Sequence, residues 1–89
     1  MRTAEIRERT RTLIVDAAPK AGRFVGASAT LVGDLGYDSL GLIELTSLLE
    51  AEFDLPPVPE EDALAVETVG DAEELVVRML ERAASGSRA

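Results

Sequence analysis

One serine of this chain stands where its hydroxyl could act as a nucleophile. Ser39 follows Asp38 and precedes Leu40, at the end of the run Leu35-Gly36-Tyr37-Asp38-Ser39-Leu40. Asp and Ser are favoured at helix starts, where a side-chain oxygen accepts hydrogen bonds from the first amide groups. A serine held there is exposed and keeps one orientation, so a separate enzyme could use its hydroxyl. The run therefore offers Ser39 as a substrate for modification and, equally, as part of an ordinary helix start.

Most catalytic arrangements are excluded by what the sequence lacks. The chain has no cysteine and no histidine, which removes disulfides, thiolate or imidazole metal sites and the Ser-His-Asp triad. A nucleophile elbow would need G-x-S-x-G, a sheet beneath it and a histidine elsewhere. An EF-hand counted from Asp34 would need an acid at its third position and a glutamate at its twelfth, where Gly36 and Leu45 stand. We expect neither an enzyme nor a metal site.

Charge is unevenly distributed along the chain. The 17 acidic and 9 basic side chains give a formal net charge of −8, and residues 24–77 contain acids but no lysine or arginine. Such a surface repels nucleic acid and anionic lipid and attracts proteins with basic patches. No apolar segment has membrane-spanning length, and the first residues lack a signal-peptide pattern. The sequence predicts a cytoplasmic monomer that binds neither nucleic acid nor membranes.

Three principal helices and one short helix should position the serine. Apolar spacing predicts a first helix over residues 3–18, ended by Pro19, and then a long loop over residues 20–33. Asp38 should cap a second helix that continues to Phe53. Residues 60–64 allow one short helical turn, and the capping signature of residues 68–71 opens the last helix. The sequence thus predicts an all-α fold, a small antiparallel helical bundle formed by residues 1–84, with a flexible tail over residues 85–89.

The buried face of each helix follows from the same spacing. The first helix should bury Ile6, Leu13, Ile14, Ala17 and Ala18, although Thr10 stands where an apolar residue would fit better. The second should bury Leu42, Leu45, Leu48 and Leu49. The last should bury Val69, Ala72, Leu75, Val76, Met79, Leu80 and Ala83. The long loop should be held to the core by Phe24, Val25, Leu31 and Val32.

The serine motif and its context resemble the acyl carrier protein family. The family's L-G-x-D-S-L pattern is followed by a Glu-Leu pair and an acidic-Phe-Asp ending, and this chain has residues 35–40, then Glu44-Leu45, then Glu52-Phe53-Asp54. Residues 60–62 and 68–72 are similar to the family's third-helix acids and fourth-helix start. The resemblance covers most of the chain, which gives the short Asp-Ser-Leu motif a weight that it lacks alone.

The resemblance implies a carrier function. Ser39, with Asp38 beside it, would bear 4′-phosphopantetheine, donated by coenzyme A and attached by a phosphopantetheinyl transferase. Acyl groups would be carried as thioesters to a ketosynthase, an acyltransferase or acyl ligase and other enzymes of polyketide or fatty acid biosynthesis that have basic docking patches. Partner contacts are expected at Leu40, Ile43, Glu44, Ser47, Glu50 and Glu52. An acyl cleft, continuous with the core, is expected at Leu45, Leu48, Leu49 and Leu75.

Two alternatives stay open at this point. Gly41, Ser47 and Ala51 depart from the commoner fatty-acid pattern, so the preferred partners are not determined. A peptidyl or aminoacyl carrier would share the fold, although such sites more often resemble G-G-x-S. An unmodified adaptor would use Ser39 only at its helix start and bind basic proteins through its acidic second helix.

Overall fold

The computed structural model describes residues 2–20 and 26–86. The described residues form four helices: α1 (Thr3–Ala17), α2 (Ser39–Phe53), α3 (Glu60–Ala65) and α4 (Val69–Gly86). Within these two ranges there is no extended strand, and a single bridge joins Thr30 to Thr68. The predicted all-α bundle of three main helices and one short helix is therefore confirmed. Phe24 and Val25, which were expected to hold the loop, and residues 87–89 of the expected tail lie outside the described residues.

The first helix packs against α4 and α2. Ile6 and Ile14 are buried as predicted, and Thr10, the polar residue between them, is also fully buried. Its hydroxyl donates a hydrogen bond to the carbonyl of Ile6 at 2.7 Å, so the buried polar group has a partner within its own helix. The predicted buried face of α1 extends too far toward the C-terminal end of the helix, because Ala17 is exposed.

A buried carboxylate joins α1 to α4. Glu73 is only 2% exposed, and Arg11 Nε donates to its Oε2 at 2.8 Å. Arg7 Nη1 lies 3.7 Å from Glu73 Oε1, and Arg7 Nη2 lies 2.6 Å from Glu74 Oε2. Burial of a charge is tolerated when it is paired and hydrogen-bonded, so the two arginines account for an acid within an otherwise apolar interface.

Another arginine of α1 connects to α2. The Arg9 guanidinium forms an ion pair with Glu52 and lies 5.9 Å from the centre of the Phe53 ring. Phe53 is buried at the end of α2. The three arginines of α1 are therefore paired with acids of the neighbouring helices.

The loop before α2 is fixed by backbone hydrogen bonds to the segment that opens α4. Leu31 N donates to the carbonyl of Glu67, and Val69 N donates to the carbonyl of Ala29, both at 2.9 Å. Leu31 is fully buried, as predicted. Val32 is 57% exposed, so its predicted anchoring role is wrong. In this turn Leu31 and Leu35 face the core, and Val32 faces water.

The start of α4 has the predicted reciprocal cap. Thr68 Oγ1 accepts from Asp71 N, and Asp71 Oδ2 accepts from Thr68 N, each at 3.1 Å. Hydrogen bonds from the amides of Glu67 and Thr68 lower the pKa of Asp71. The buried face of α4 includes Val69, Ala72, Leu75, Val76 and Met79 as predicted, together with Val77.

The far end of α4 is longer and less buried than predicted, and Leu80 there is half-buried. Ala83 is exposed although it was assigned to the buried stripe, because the packed part of α4 ends before its last turns. The helix extends to Gly86 and so includes the first two residues of the segment expected to form a tail. None of the helices in the described ranges is both long enough and apolar enough to span a membrane.

Candidate functional site

Asp38 caps the start of α2, as the sequence predicted. Its backbone is extended, and its Oδ1 accepts a hydrogen bond from Gly41 N at 2.7 Å. Ser39 is the first residue of the helix, and its side chain is exposed. The cap leaves the serine hydroxyl outside the hydrogen-bonding pattern of the helix start, where a second molecule can reach it. Its role as an attachment site stays a prediction at this stage.

Tyr37 anchors this helix start to the end of α1. The tyrosine is 4% exposed, and its hydroxyl donates to the carbonyl of Ile14 at 2.6 Å. That carbonyl belongs to the last turn of α1, where Ala18 N donates to Val15 instead. Helix ends leave carbonyls without partners inside the helix, so the tyrosine satisfies one of them. Burial raises the pKa of Tyr37 to about 12, so its hydroxyl stays protonated and able to donate above pH 10 as well.

The turn that leads to Tyr37 depends on a glycine. Gly36 has a φ of +80°, a conformation that glycine adopts without steric strain. On either side of it, Lys20 N donates to the carbonyl of Leu35 at 3.0 Å and Tyr37 N to that of Leu31 at 2.9 Å. These bonds fix the direction in which the chain enters α2 and therefore the position of Ser39.

A second glycine allows the cap and the tyrosine to approach the helix closely. A Cβ at Gly41 would lie 3.1 Å from Asp38 Oδ1 and 3.2 Å from Tyr37 Cδ1, tighter than ordinary van der Waals contact. Any side chain at this position would crowd both groups. Gly41 therefore has a local steric reason in this chain, independent of partner choice.

A groove of about 440 Å³ runs beside Ser39, between the end of α1 and the start of α2. Asp38 and Glu44 contribute carboxylates to its lining. Its apolar lining consists of Ala17, Pro19, Tyr37, Leu40, Leu45 and Leu48. The groove thus combines an apolar surface with acids close to the candidate serine.

Leu48 is the one member of the predicted core set of α2 that is not in the core. It is 48% exposed, whereas Leu45 and Leu49 are buried as predicted. An α-helix turns by about 100° per residue, which puts Leu48 about 120° from the centre of the buried face. Thr46 lies on that face instead, and its hydroxyl donates to the carbonyl of Leu42 at 2.9 Å. Leu48 borders the groove.

The predicted partner residues divide into outward and internally engaged groups. Leu40, Glu44 and Ser47 are exposed, and Ile43 is half-buried. Glu50 Oε2 accepts from Val58 N at 2.7 Å and so fixes the loop that follows α2. Two acids of the predicted docking surface, Glu50 and Glu52, are therefore engaged within the protein. Among the described residues, no ion pair involves Glu44.

The buried members of the predicted cleft lie on two helices. Leu45 and Leu49 belong to α2, and Leu75 of α4 is 9% exposed. Leu75 lines a different groove, between α3 and α4. Their assignment to the core is confirmed, and their role as the wall of an acyl cleft stays a prediction. Within the two described ranges, no group of acidic side chains is arranged to hold a metal ion.

Comparisons with known proteins agree on one family. The family model described as a phosphopantetheine attachment site matches residues 8–76. An acyl carrier protein of Azobacteroides pseudotrichonymphae genomovar. CFP2 is 38% identical over 69 residues, which cover 78% of this chain and 81% of that protein.

Two solved structures are also similar. One, from Mycobacterium tuberculosis and described as a candidate acyl carrier protein, has a TM-score of 0.70 at 36% identity and covers 81% of this chain and 95% of its own. The other is the acetyl actinorhodin acyl carrier protein of Streptomyces coelicolor, with a TM-score of 0.63 at 26% identity, covering 86% of this chain and 92% of its own.

Proposed function

The chain belongs to the acyl carrier protein family, and from this premise we propose that Ser39 is the residue to which its 4′-phosphopantetheine is attached. The prosthetic group itself follows from the family. The observation that supports this position is the exposed hydroxyl of Ser39 at the capped start of α2. Ser39 also lies within the matched range, directly after the capping aspartate.

The residues around Ser39 fit such a group. A phosphodiester on the serine would lie at the start of a helix of 15 residues, where free amide groups and the helix dipole favour an anion. Asp38 directs its Oδ1 to Gly41 N, so part of its negative charge is already compensated. Gly41 has no side chain to obstruct the first part of an attached arm.

The modification needs a separate catalyst. The Ser39 oxygen would form a bond to the phosphorus of coenzyme A that carries pantetheine, the bond from that phosphorus to the bridging oxygen would break, and adenosine 3′,5′-diphosphate would leave. The serine proton must pass to a base. This chain has no histidine, and Oδ1 of the adjacent Asp38 already accepts from Gly41 N, so we expect the phosphopantetheinyl transferase to supply the base.

Once bound, the prosthetic group supplies a thiol on which acyl groups are held as thioesters. The chain has no cysteine, so it offers no thiol of its own. Its residues hold the attachment point: Asp38 caps the helix, Tyr37 ties the turn to α1, and Ser39 faces the solvent. The protein is then a substrate and carrier for other enzymes and does not catalyse the reactions itself.

The setting of this function belongs to the same proposal. The protein would act as a cytoplasmic monomer in polyketide or fatty acid biosynthesis. A ketosynthase and an acyltransferase or acyl ligase would approach Ser39 through basic patches. The support for docking through basic patches is Glu44, which has no ion pair within the described residues, together with the exposed Leu40 near the serine.

Intact-mass measurement tests the attachment site. Incubation with a broad-specificity transferase, Mg²⁺ and coenzyme A should add one phosphopantetheine to the wild-type protein and none to Ser39→Ala, while both keep the helical circular dichroism spectrum. Ser28→Ala, at an exposed serine of the loop before α2, is the matched control and should be modified fully. Wild-type protein that gains no mass with several transferases would favour the adaptor function instead.

A further inference from the structure

The groove between the end of α1 and the start of α2 is lined in part by Leu45 and Leu48 of the predicted acyl cleft. We propose that it is the resting site of the pantetheine part of the arm when no partner enzyme is bound. This proposal rests on attachment at Ser39. It adds a location for the arm and names the side chains that hold it there.

The groove is continuous with the attachment point. Asp38 and Leu40, the residues immediately before and after Ser39, both line it. A group attached to the serine therefore starts at the rim of the groove. It can enter the groove without crossing another part of the protein surface. The volume of about 440 Å³ lies in the range of about 300 to 1,000 Å³ that is usual for small-molecule sites.

The apolar surface of the groove is open to solvent. Leu40 is 65% exposed and Leu48 is 48% exposed, and they account for two of the four large exposed apolar side chains of the described residues. Covering them would remove apolar area from water, which is favourable in proportion to the area buried. Pantetheine carries two methyl groups and several methylene groups for this purpose. Its amides would stay at the open side, where water satisfies them.

The acids at the groove disfavour an anionic occupant. The carboxylates of Asp38 and Glu44 both line the groove, and they would repel a negatively charged group that entered it. The phosphate of the arm is therefore expected to stay at the start of α2, and the neutral pantetheine part to enter. The same repulsion disfavours a free phosphorylated metabolite in this position.

The shape of the groove is held by two features already described. The Tyr37 ring forms one wall and is kept in place by its hydrogen bond to the carbonyl of Ile14. Gly41 also lines the groove, and a Cβ there would press on Tyr37 Cδ1 at 3.2 Å. A methyl group at this position should narrow the groove where the arm enters.

Methyl NMR of the modified protein tests the proposal. The apo and fully modified forms, distinguished by intact mass, should differ in the methyl shifts of Ala17 and Leu48, and the methyl protons of the arm should give nuclear Overhauser contacts to both residues. Leu48→Gln should abolish the contact to Ala17. Leu64→Gln, at a leucine of α3 with a similar exposure of 42%, should leave that contact unchanged. Gly41→Ala should weaken it.

The outcomes separate this proposal from attachment itself. A protein that gains the full mass but whose arm contacts another surface, such as the groove lined by Val66 and Met79, would overturn the resting site and leave attachment at Ser39 intact. Contacts that survive Leu48→Gln, or that form only after a partner enzyme is added, would overturn it too. A protein that gains no mass would remove the attachment and the resting site together.

Discussion

Replacement of Tyr37 by phenylalanine should destabilise the protein although it removes only one oxygen atom. The hydroxyl donates to the carbonyl of Ile14 at 2.6 Å, and both the tyrosine and Ile14 are buried. Without the donor, that carbonyl stays buried without its partner, because Ala18 N donates to Val15. Leaving a buried acceptor unsatisfied costs about 1 to 3 kcal/mol. We expect Tyr37→Phe to lose a free energy of unfolding within that range.

Urea unfolding followed by circular dichroism measures this loss. The midpoint should fall while the dependence of the unfolding free energy on urea stays the same, because the exposed surface does not change. For a domain of this size, each 1 kcal/mol lowers the Tm by about 4 to 8 °C. Thr12→Ala is the control, since its hydroxyl donates to the carbonyl of Glu8 at an exposed position. It should change stability by about 0.5 kcal/mol at most.

The ionisation of the same hydroxyl should make the free energy of unfolding depend on pH. Burial raises the pKa of Tyr37 from 10.0 to about 12, so the folded state holds its proton more tightly than the unfolded state does. The stabilisation is complete below about pH 10 and is lost as the pH rises toward 12. Wild type should therefore lose stability in this interval more steeply than Tyr37→Phe. Equal stability of the two proteins at neutral pH, or parallel curves above pH 10, would refute the anchoring role of the tyrosine.

Two further predictions concern the core and the acidic surface. Leu45→Ala and Leu75→Ala should each lower the free energy of unfolding by about 2 to 5 kcal/mol in urea titrations, and Leu48→Ala should lower it much less because that side chain is half exposed; equal effects at all three positions would contradict the assignment of the faces of α2. Glu44→Lys should slow modification of Ser39 through weaker association, and the difference from wild type should shrink as the Debye length falls from about 10 Å in 0.1 M salt to about 3 Å in 1 M salt. The control Glu81→Lys, on exposed α4 surface, should have little effect; equal slowing by both would assign the effect to net charge.

Local patterns predicted the elements of the fold well. The cap at Asp38, the end of α2 at Phe53 and the reciprocal cap at the start of α4 depend on residues that are near one another in sequence. Apolar spacing alone did not separate the core from the edge of a helix. The spacing predicts Leu48 in the core and Val32 as an anchor of the loop, yet both are exposed. Each is next in sequence to a buried leucine, and adjacent residues point in different directions.

Features that depend on distant contacts were not predictable in this way. A glutamate is usually found on the surface. Glu73 can be buried because Arg7 and Arg11 of α1 pair with its carboxylate. Tyr37 occupied an unspecified position of the motif, and its role depends on a carbonyl 23 residues away in sequence. The one available signal was an aromatic residue with a polar tip between a glycine and a capping aspartate, which suits a buried ring with a hydrogen-bonded hydroxyl.

The pairing of the arginines of α1 affects how the protein is oriented when it approaches a charged surface. Arg7, Arg9 and Arg11 each lie against an acid of α2 or α4, so positive charge on that side is balanced within the molecule, while Glu44 has no such partner in the described structure. Glu44 thus keeps an unpaired negative charge at the exposed surface of α2, off the centre of the molecule. Near a basic surface, an off-centre charge produces a torque as well as an attraction. The carrier would rotate during its approach, and a larger share of its collisions would occur with Ser39 already facing the surface that it meets.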